Sequence, residues 1–224
     1  MKRMTVLLGN YGSGKTELAL NLALQAAENG EDVTLVDLDI VNPYFRSSEY
    51  HEMLEDKGVR VIAPVYANTG VDLPTLPGEV HAAFGAPRAV LDCGGDAVGA
   101  TALGSLKARL DAVREDVDVL FVVNTNRPYQ QSADQLAQSL EVIQQAARIT
   151  ADGIVFNANL GAETTGQELV DGFDIVQAFS QRSGLPIVAV SGTESALRVF
   201  KQAYPKYDGE YICMGIHTRP VWME

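Results

Sequence analysis

Cysteine is scarce in this 224-residue chain: only Cys93 and Cys213 occur, and neither lies in a C-x-x-C pair or beside a histidine. That excludes a disulfide framework and offers no zinc-ligand spacing. A reducing compartment, the cytoplasm, is expected. The three histidines, His51, His81 and His217, are scattered and read as surface or packing residues. Positive charge is also in deficit, with 17 Lys and Arg against 29 Asp and Glu, a net charge of −12. Such a surface repels nucleic acid and anionic lipid, and no run of Lys or Arg interrupts it. Neither nucleic acid nor a membrane is therefore expected as a partner. No apolar run is long enough to span a bilayer, and Met1-Lys2-Arg3 leads into a strand without a signal-peptide core. Linkers, repeats and low-complexity segments are missing too. With 46% apolar residues, the chain suits one large nucleotide-binding domain, 1–224, whose last residues, 204–224, form a packed tail.

What is present is the stretch Gly9-Asn10-Tyr11-Gly12-Ser13-Gly14-Lys15-Thr16. It fits the phosphate-loop pattern G-x-x-x-x-G-K-[ST] at every fixed position. A short apolar run, Thr5 to Leu8, precedes it and reads as a buried strand. Lys15 to Asn29 follows as a helix closed by Gly30. The chemistry requires this order. The glycines let the backbone curl round a polyphosphate so that successive N–H groups point inward. The helix start adds the positive end of its dipole. Lys15 supplies a full charge to the β- and γ-phosphates, and the Thr16 hydroxyl holds Mg²⁺. On the helix itself, Glu17, Asn21, Gln25 and Glu28 fall on one stripe, which predicts a mostly buried helix with one wet edge.

Strand and helix then alternate. Val33 to Val36, Val59 to Ala63, Ala89 to Asp92, Val117 to Val123, Ile154 to Phe156 and Pro186 to Val190 read as strands. Helices are expected over 46–57, 79–84, 101–114, 131–147, 165–183 and 194–201. The pattern predicts an α/β fold: a doubly wound, mostly parallel sheet of about seven strands with helices on both faces. Ligands in such sheets bind beyond the carboxyl ends of the strands. The second strand ends in Asp37-Leu38-Asp39, so one carboxylate is expected to orient an attacking water and the other to hold the metal's water shell. The fourth ends in Asp92-Cys93-Gly94-Gly95-Asp96. Asp92 is placed to meet Mg²⁺ directly or through water. Gly94 and Gly95 permit close backbone approach to a γ-phosphate. Cys93, with no histidine near it in sequence, reads as a small buried residue.

Guanine recognition commonly uses N-K-x-D after a late strand. The candidate segments here, Asn124-Thr125-Asn126-Arg127 and Asn157-Ala158-Asn159-Leu160, carry neither that Lys nor that Asp. ATP is therefore expected. The Asn157 amide can donate to and accept from adenine at once.

In order, these motifs resemble the MinD/ParA/CobQ class of phosphate-loop ATPases over most of the first 190 residues. The matching parts are Gly9 to Thr16, Val36-Asp37-Leu38-Asp39, Leu91-Asp92-Cys93-Gly94-Gly95 and Asn157. The resemblance implies Lys15 and Thr16 on phosphate and Mg²⁺, Asp39 on the attacking water, Asp92 near Mg²⁺ and Asn157 on adenine. One departure matters. Many members carry a second lysine early in the loop that crosses an ATP-bound dimer, whereas no Lys lies between Arg3 and Lys15 here. A cross-subunit lysine is not expected, and a homodimer as such stays open. The C-terminal stretch His217 to Glu224 contains a proline and few basic residues, unlike a basic membrane helix.

The leading expectation is a Mg²⁺-dependent ATP-binding protein and slow ATPase that switches affinity for an unidentified protein partner. Its switch would comprise Asn42-Pro43-Tyr44-Phe45-Arg46 and the Gly94-Gly95 turn. Two other readings stay open. One is an ATP-dependent ligase or amidase-type enzyme activating a small carboxylic acid, with the Pro64 to Gly78 loop lining its pocket. The other is a module that binds nucleotide without turning it over. A GTP-driven metal chaperone lacks its expected Cys and His cluster.

Overall fold

The computed structural model describes residues 1–39, 50–63, 78–158 and 164–218. The expected switch segment 42–46, the loop 64–77, and Asn159 to Gly161 therefore lie outside the described residues, as does Trp222.

Eight strands form one sheet, one more than the pattern predicts. They are β1 (Met4–Leu8), β2 (Val33–Leu38), β3 (Val59–Ile62), β4 (Arg88–Cys93), β5 (Val117–Val123), β6 (Gly153–Asn157), β7 (Ile187–Gly192) and β8 (Glu210–Cys213). Their spatial order is β3-β2-β4-β1-β5-β6-β7-β8, and every pairing is parallel. Both faces are buried, which is why these strands read as continuous apolar runs. On β1, Met4, Val6 and Leu8 join one core while Leu7 joins the other. The chain runs outward to β3, returns to place β4 beside β1, and then continues on the far side with β5. This reversal at β1 sets a crevice at the carboxyl edge, where doubly wound sheets bind ligands.

Helices α1 (Lys15–Glu28) and α2 (His51–Asp56) cover one face. The other is covered by α3 (Ala97–Gly104), α4 (Lys107–Ala112), α5 (Ala133–Ala147), α6 (Gly166–Ser183) and α7 (Glu194–Ala203). Two of these helices begin with side-chain caps. The Ser132 side chain accepts from Gln135 N–H, and Thr165 with Glu168 forms a complete capping box. Two helices differ from expectation. The stretch 101–114 is divided into α3 and α4, because tighter turns from Ser105 N–H to the Ala102 carbonyl and from Leu106 N–H to the Leu103 carbonyl end α3. The stretch 79–84 is a 3₁₀ helix, Gly78–Gly85.

Residues 204–218 pack against the domain and add the strand that sequence patterning missed. Tyr204 packs tilted against Phe173 with ring centroids 4.5 Å apart, and Tyr207 meets Phe200 edge-on at 5.6 Å. Beyond them β8 extends the sheet at its edge. The residues after β8 overturn the expected wet edge of α1 at Glu17 and Asn21, while Glu28 at its end is exposed as expected. Glu17 and Asn21 are only 4% and 3% exposed. Glu17 accepts the backbone N–H groups of His217 at 2.7 Å and Thr218 at 2.9 Å, and also the Thr218 hydroxyl. Asn21 accepts from Gly215 N–H at 2.7 Å and returns a bond to its carbonyl at 3.0 Å. Gln25 donates to the Cys213 carbonyl at 2.6 Å. The polar stripe is the seat of a chain segment nearly two hundred residues away.

Candidate functional site

The loop between β1 and α1 lies at the carboxyl edge of the sheet. Gly14 caps α1 at φ 87°, a left-handed conformation that a side chain would strain. The loop closes on itself through Ser13 N–H to the Asn10 carbonyl at 3.1 Å. Other carbonyls of the loop are held from outside. Asn157, fully buried on β6, donates to the Ser13 carbonyl at 2.9 Å. Because a peptide is trans and planar, this points the Gly14 N–H the opposite way. The Gly12 carbonyl accepts from Arg127 Nε at 3.2 Å and from the Asn124 amide at 3.4 Å. The Asn10 side chain accepts the Ser139 hydroxyl of α5.

Lys15 is 7% exposed and curls back to donate to the Asn10 carbonyl at 3.0 Å. Burial lowers its pKa, against the opposing pull of Asp92 and Asp39. The Thr16 hydroxyl donates to Asp92 Oδ2 at 2.7 Å. Asp92 stands in register with Asp37 on the neighbouring strand, and both are 1% exposed. Burial, with Asp37 as the second cause, raises the Asp92 carboxyl to about 7, while Lys15 and Thr16 act against that rise. Its Oδ1 is buried without a hydrogen-bond partner. Asp39 donates its N–H to Asp37 Oδ1 at 2.9 Å and is half-buried beside Gly94.

The turn after β4 touches the loop directly. Gly95 accepts Tyr11 N–H at 2.9 Å, and a Cβ on Gly95 would stand 2.5 Å from that nitrogen. The close approach that the glycine permits is thus to the loop backbone itself. Asp96 has a capping role: its side chain accepts Gly99 N–H at 2.7 Å at the start of α3. Cys93 is 1% exposed and burial pushes its thiol pKa up, so it is an unreactive packing residue.

The structure therefore brings Lys15, Thr16, Asp37, Asp39, Asp92, Gly94 and Asn157 to one edge, around the loop Gly9, Asn10, Tyr11, Gly12, Ser13 and Gly14. Sequence reasoning missed the bracing by Asn124, Arg127 and Ser139. The signal was the pairing of β5 with β1, which puts the end of β5 beside the loop.

The donors suit Mg²⁺. Thr16, Asp92 and Asp37 offer only oxygen, and the unpartnered Asp92 Oδ1 has capacity to spare. Among the described residues, no group of three or more His, Cys, Asp or Glu has metal-ligand geometry.

A parallel α/β sheet with this loop at its central strand defines a phosphate-loop nucleotide-binding protein. A family model described as the CobQ/CobB/MinD/ParA nucleotide binding domain matches residues 5–185, and the chain belongs to that family. A comparison with curated proteins gives no match. Among solved structures, FtsY from Mycoplasma mycoides has a TM-score of 0.56 at 16% identity, over 88% of this chain and 62% of its own. Cell division protein FtsY from Thermotoga maritima gives 0.56 at 19%, over 88% and 63%. Signal recognition particle 54 kDa protein from Aeropyrum pernix, in complex with GDP, gives 0.53 at 24%, over 88% and 42%. At these identities the likeness shows the fold alone. The chain spans less than two thirds of each of these proteins. Among the described residues, no helix is long and apolar enough to cross a membrane.

Proposed function

We propose that this chain is a Mg²⁺-dependent ATP-binding protein with slow hydrolytic turnover, and that its nucleotide states differ in affinity for a protein partner. The observation that carries this reading is the Thr16–Asp92 contact of 2.7 Å, with Asp92 Oδ1 buried and unpartnered. A buried carboxylate left half-satisfied at a phosphate loop is a costly arrangement for a purely structural role. Thr16 and Asp92, with Asp37 behind them, would hold Mg²⁺. The cation would supply charge neutralisation at the β- and γ-phosphates. Lys15 leaves the Asn10 carbonyl for phosphate, which offers it full negative charge instead of a dipole. Asp39 lies beside Gly94 and is assigned to orient the attacking water.

Adenine is favoured by the absence of N-K-x-D after the late strands, and its contact is assigned to Asn157. Its nitrogen is fixed on a carbonyl, which only accepts, so the buried Oδ1 remains as an acceptor without a partner. A free acceptor can meet the exocyclic amine of adenine, but guanine offers N–H donors as well, so the preference rests on the missing N-K-x-D pattern. The GDP recorded with the Aeropyrum pernix protein belongs to that protein.

The switch reading rests on the bond between Gly95 and Tyr11, which ties the β4 turn to the loop, and on the Asp96 cap, which ties that turn to α3. A change at the loop thereby reaches a surface helix. The partner, whether another protein or a second copy, would read α3 and the neighbouring turns. We assign the whole chain, 1–224, to one cytoplasmic nucleotide-binding unit. The test is phosphate release from ATP by the purified chain, alone and with proteins that it retains in ATP but not in ADP. Slow release that a retained protein accelerates supports the switch. Release that instead requires a small carboxylic acid contradicts it and identifies a ligase or amidase. Tight binding without turnover in any mixture identifies a binding module.

A further inference from the structure

We propose that Arg127 is a second cation of the nucleotide site, supplied in cis from the β5–α5 turn and directed at the phosphates. This inference rests on the nucleotide reading of the loop.

Lys15 is the only charge the loop's own sequence supplies. The fold adds another. Arg127 lies against the middle of the loop: a Cβ on Gly12 would sit 3.4 Å from both its Cδ and its Nε. Only Nε is engaged, on the Gly12 carbonyl at 3.2 Å. Among the described residues, no carboxylate lies within ion-pair distance of Arg127. Other arginines of this acidic chain divide between acids and backbone: Arg88 donates to the Met1 and Lys2 carbonyls. Arg3, Arg114, Arg182 and Arg198 each meet an Asp or Glu. Arg127 is thus a cation held at the phosphate loop, with no acid partner among the described residues.

The turn that carries it is braced rather than loose. Arg127 N–H donates to the Asn124 carbonyl at 3.1 Å, and the Arg127 carbonyl accepts from Gln130 N–H at 3.2 Å. Asn126 N–H donates to Asn124 Oδ1 at 3.1 Å, and Asn124 N–H to the buried Gln130 Oε1 at 3.0 Å. These bonds fix the backbone while the exposed side chain keeps its rotamer freedom. A guanidinium in that position has its two terminal nitrogens for a phosphate oxygen pair, the bidentate geometry that distinguishes Arg from Lys.

A bracing role for the Gly12 carbonyl and a charge role toward phosphate predict different chemistry. Glutamine at 127 retains N–H donors for the carbonyl but carries no charge. Lysine retains the charge. The experiment is calorimetric titration of Mg²⁺-ATP into wild type, Arg127→Gln, Arg127→Lys and Lys15→Ala, each at about 50 mM and about 300 mM salt. The expected result is a roughly ten- to hundredfold loss of affinity in Arg127→Gln, with a flatter salt dependence, and substantial recovery in Arg127→Lys. Unchanged affinity and salt dependence in Arg127→Gln overturn the proposal alone and leave Arg127 as a brace. No binding by wild type overturns the nucleotide reading, and this inference with it.

Discussion

Helix α1 carries two sets of buried or half-buried polar groups, and they are finished differently. Along its length, Glu17, Asn21 and Gln25 each find partners in the segment after β8. At its start, Lys15 and Thr16 face a cluster where Asp92 Oδ1 has no partner and the carboxyl titrates near 7. Thr16 and Glu17 are neighbours in sequence yet fall on opposite sides of this divide. Satisfied buried groups hold a fold together, whereas half-satisfied ones keep capacity for something that binds. The comparison separates structure from function without any appeal to resemblance.

The sharpest way to break it is on the unfinished side. Lys15→Ala should reduce Mg²⁺-ATP affinity about a thousandfold, the worth of roughly 4 kcal/mol for a close charge pair at a protein surface. Its stability should change far less than its affinity, because Lys15 donates to one carbonyl and otherwise only offsets the nearby charge of Asp92 and Asp39. Calorimetry and thermal melting on the same preparation check both halves.

On the finished side the signs reverse. Glu17→Ala strands two backbone N–H groups and one hydroxyl of the C-terminal segment. It should cost about 3 kcal/mol of stability, read by urea unfolding. The folded fraction should bind nucleotide as wild type does. Loss of affinity without loss of stability would erase the distinction between the two sides.

Asp39→Ala sharpens the division inside the site. Turnover should fall by about a hundredfold, a typical contribution of one positioned catalytic group, while ATP affinity stays within about threefold. An unchanged rate of phosphate release would remove Asp39 from its assigned role.

The smallest effect is a pH dependence. The Asp92 carboxyl, raised to about 7, must lose its proton to hold a divalent cation. Mg²⁺-dependent ATP affinity should rise about tenfold between pH 6 and pH 8 and level off above. Asp92→Asn should flatten the profile. The sign for stability is opposite. The native carboxyl keeps its proton up to about 7 and the unfolded one only within the ordinary carboxylate range. The ligand-free protein thus loses this contribution as pH climbs between those values.

Much of this was legible in the chain. The phosphate loop, the acid-terminated strands and the alternating pattern depend on local spacing, and local spacing is what one sequence displays. Three things were not legible, for one physical reason. The stripe of Glu17, Asn21 and Gln25 looks like a solvated face because its partners stand near residue 215, and nothing local announces them. The strand Glu210–Cys213 has only one fully buried residue, Ile212, so its four positions give no period. Arg127 looks like a surface residue until strand order places β5 beside β1. Each miss is a contact made by topology.

The central claim is that the unfinished end of α1 is a nucleotide site. The most direct test is calorimetric titration of Mg²⁺-ATP and Mg²⁺-GTP into the purified chain, with Lys15→Ala as control. The account predicts ATP binding well above GTP, lost in the variant. Binding of neither nucleotide, or equal binding by wild type and Lys15→Ala, would contradict it.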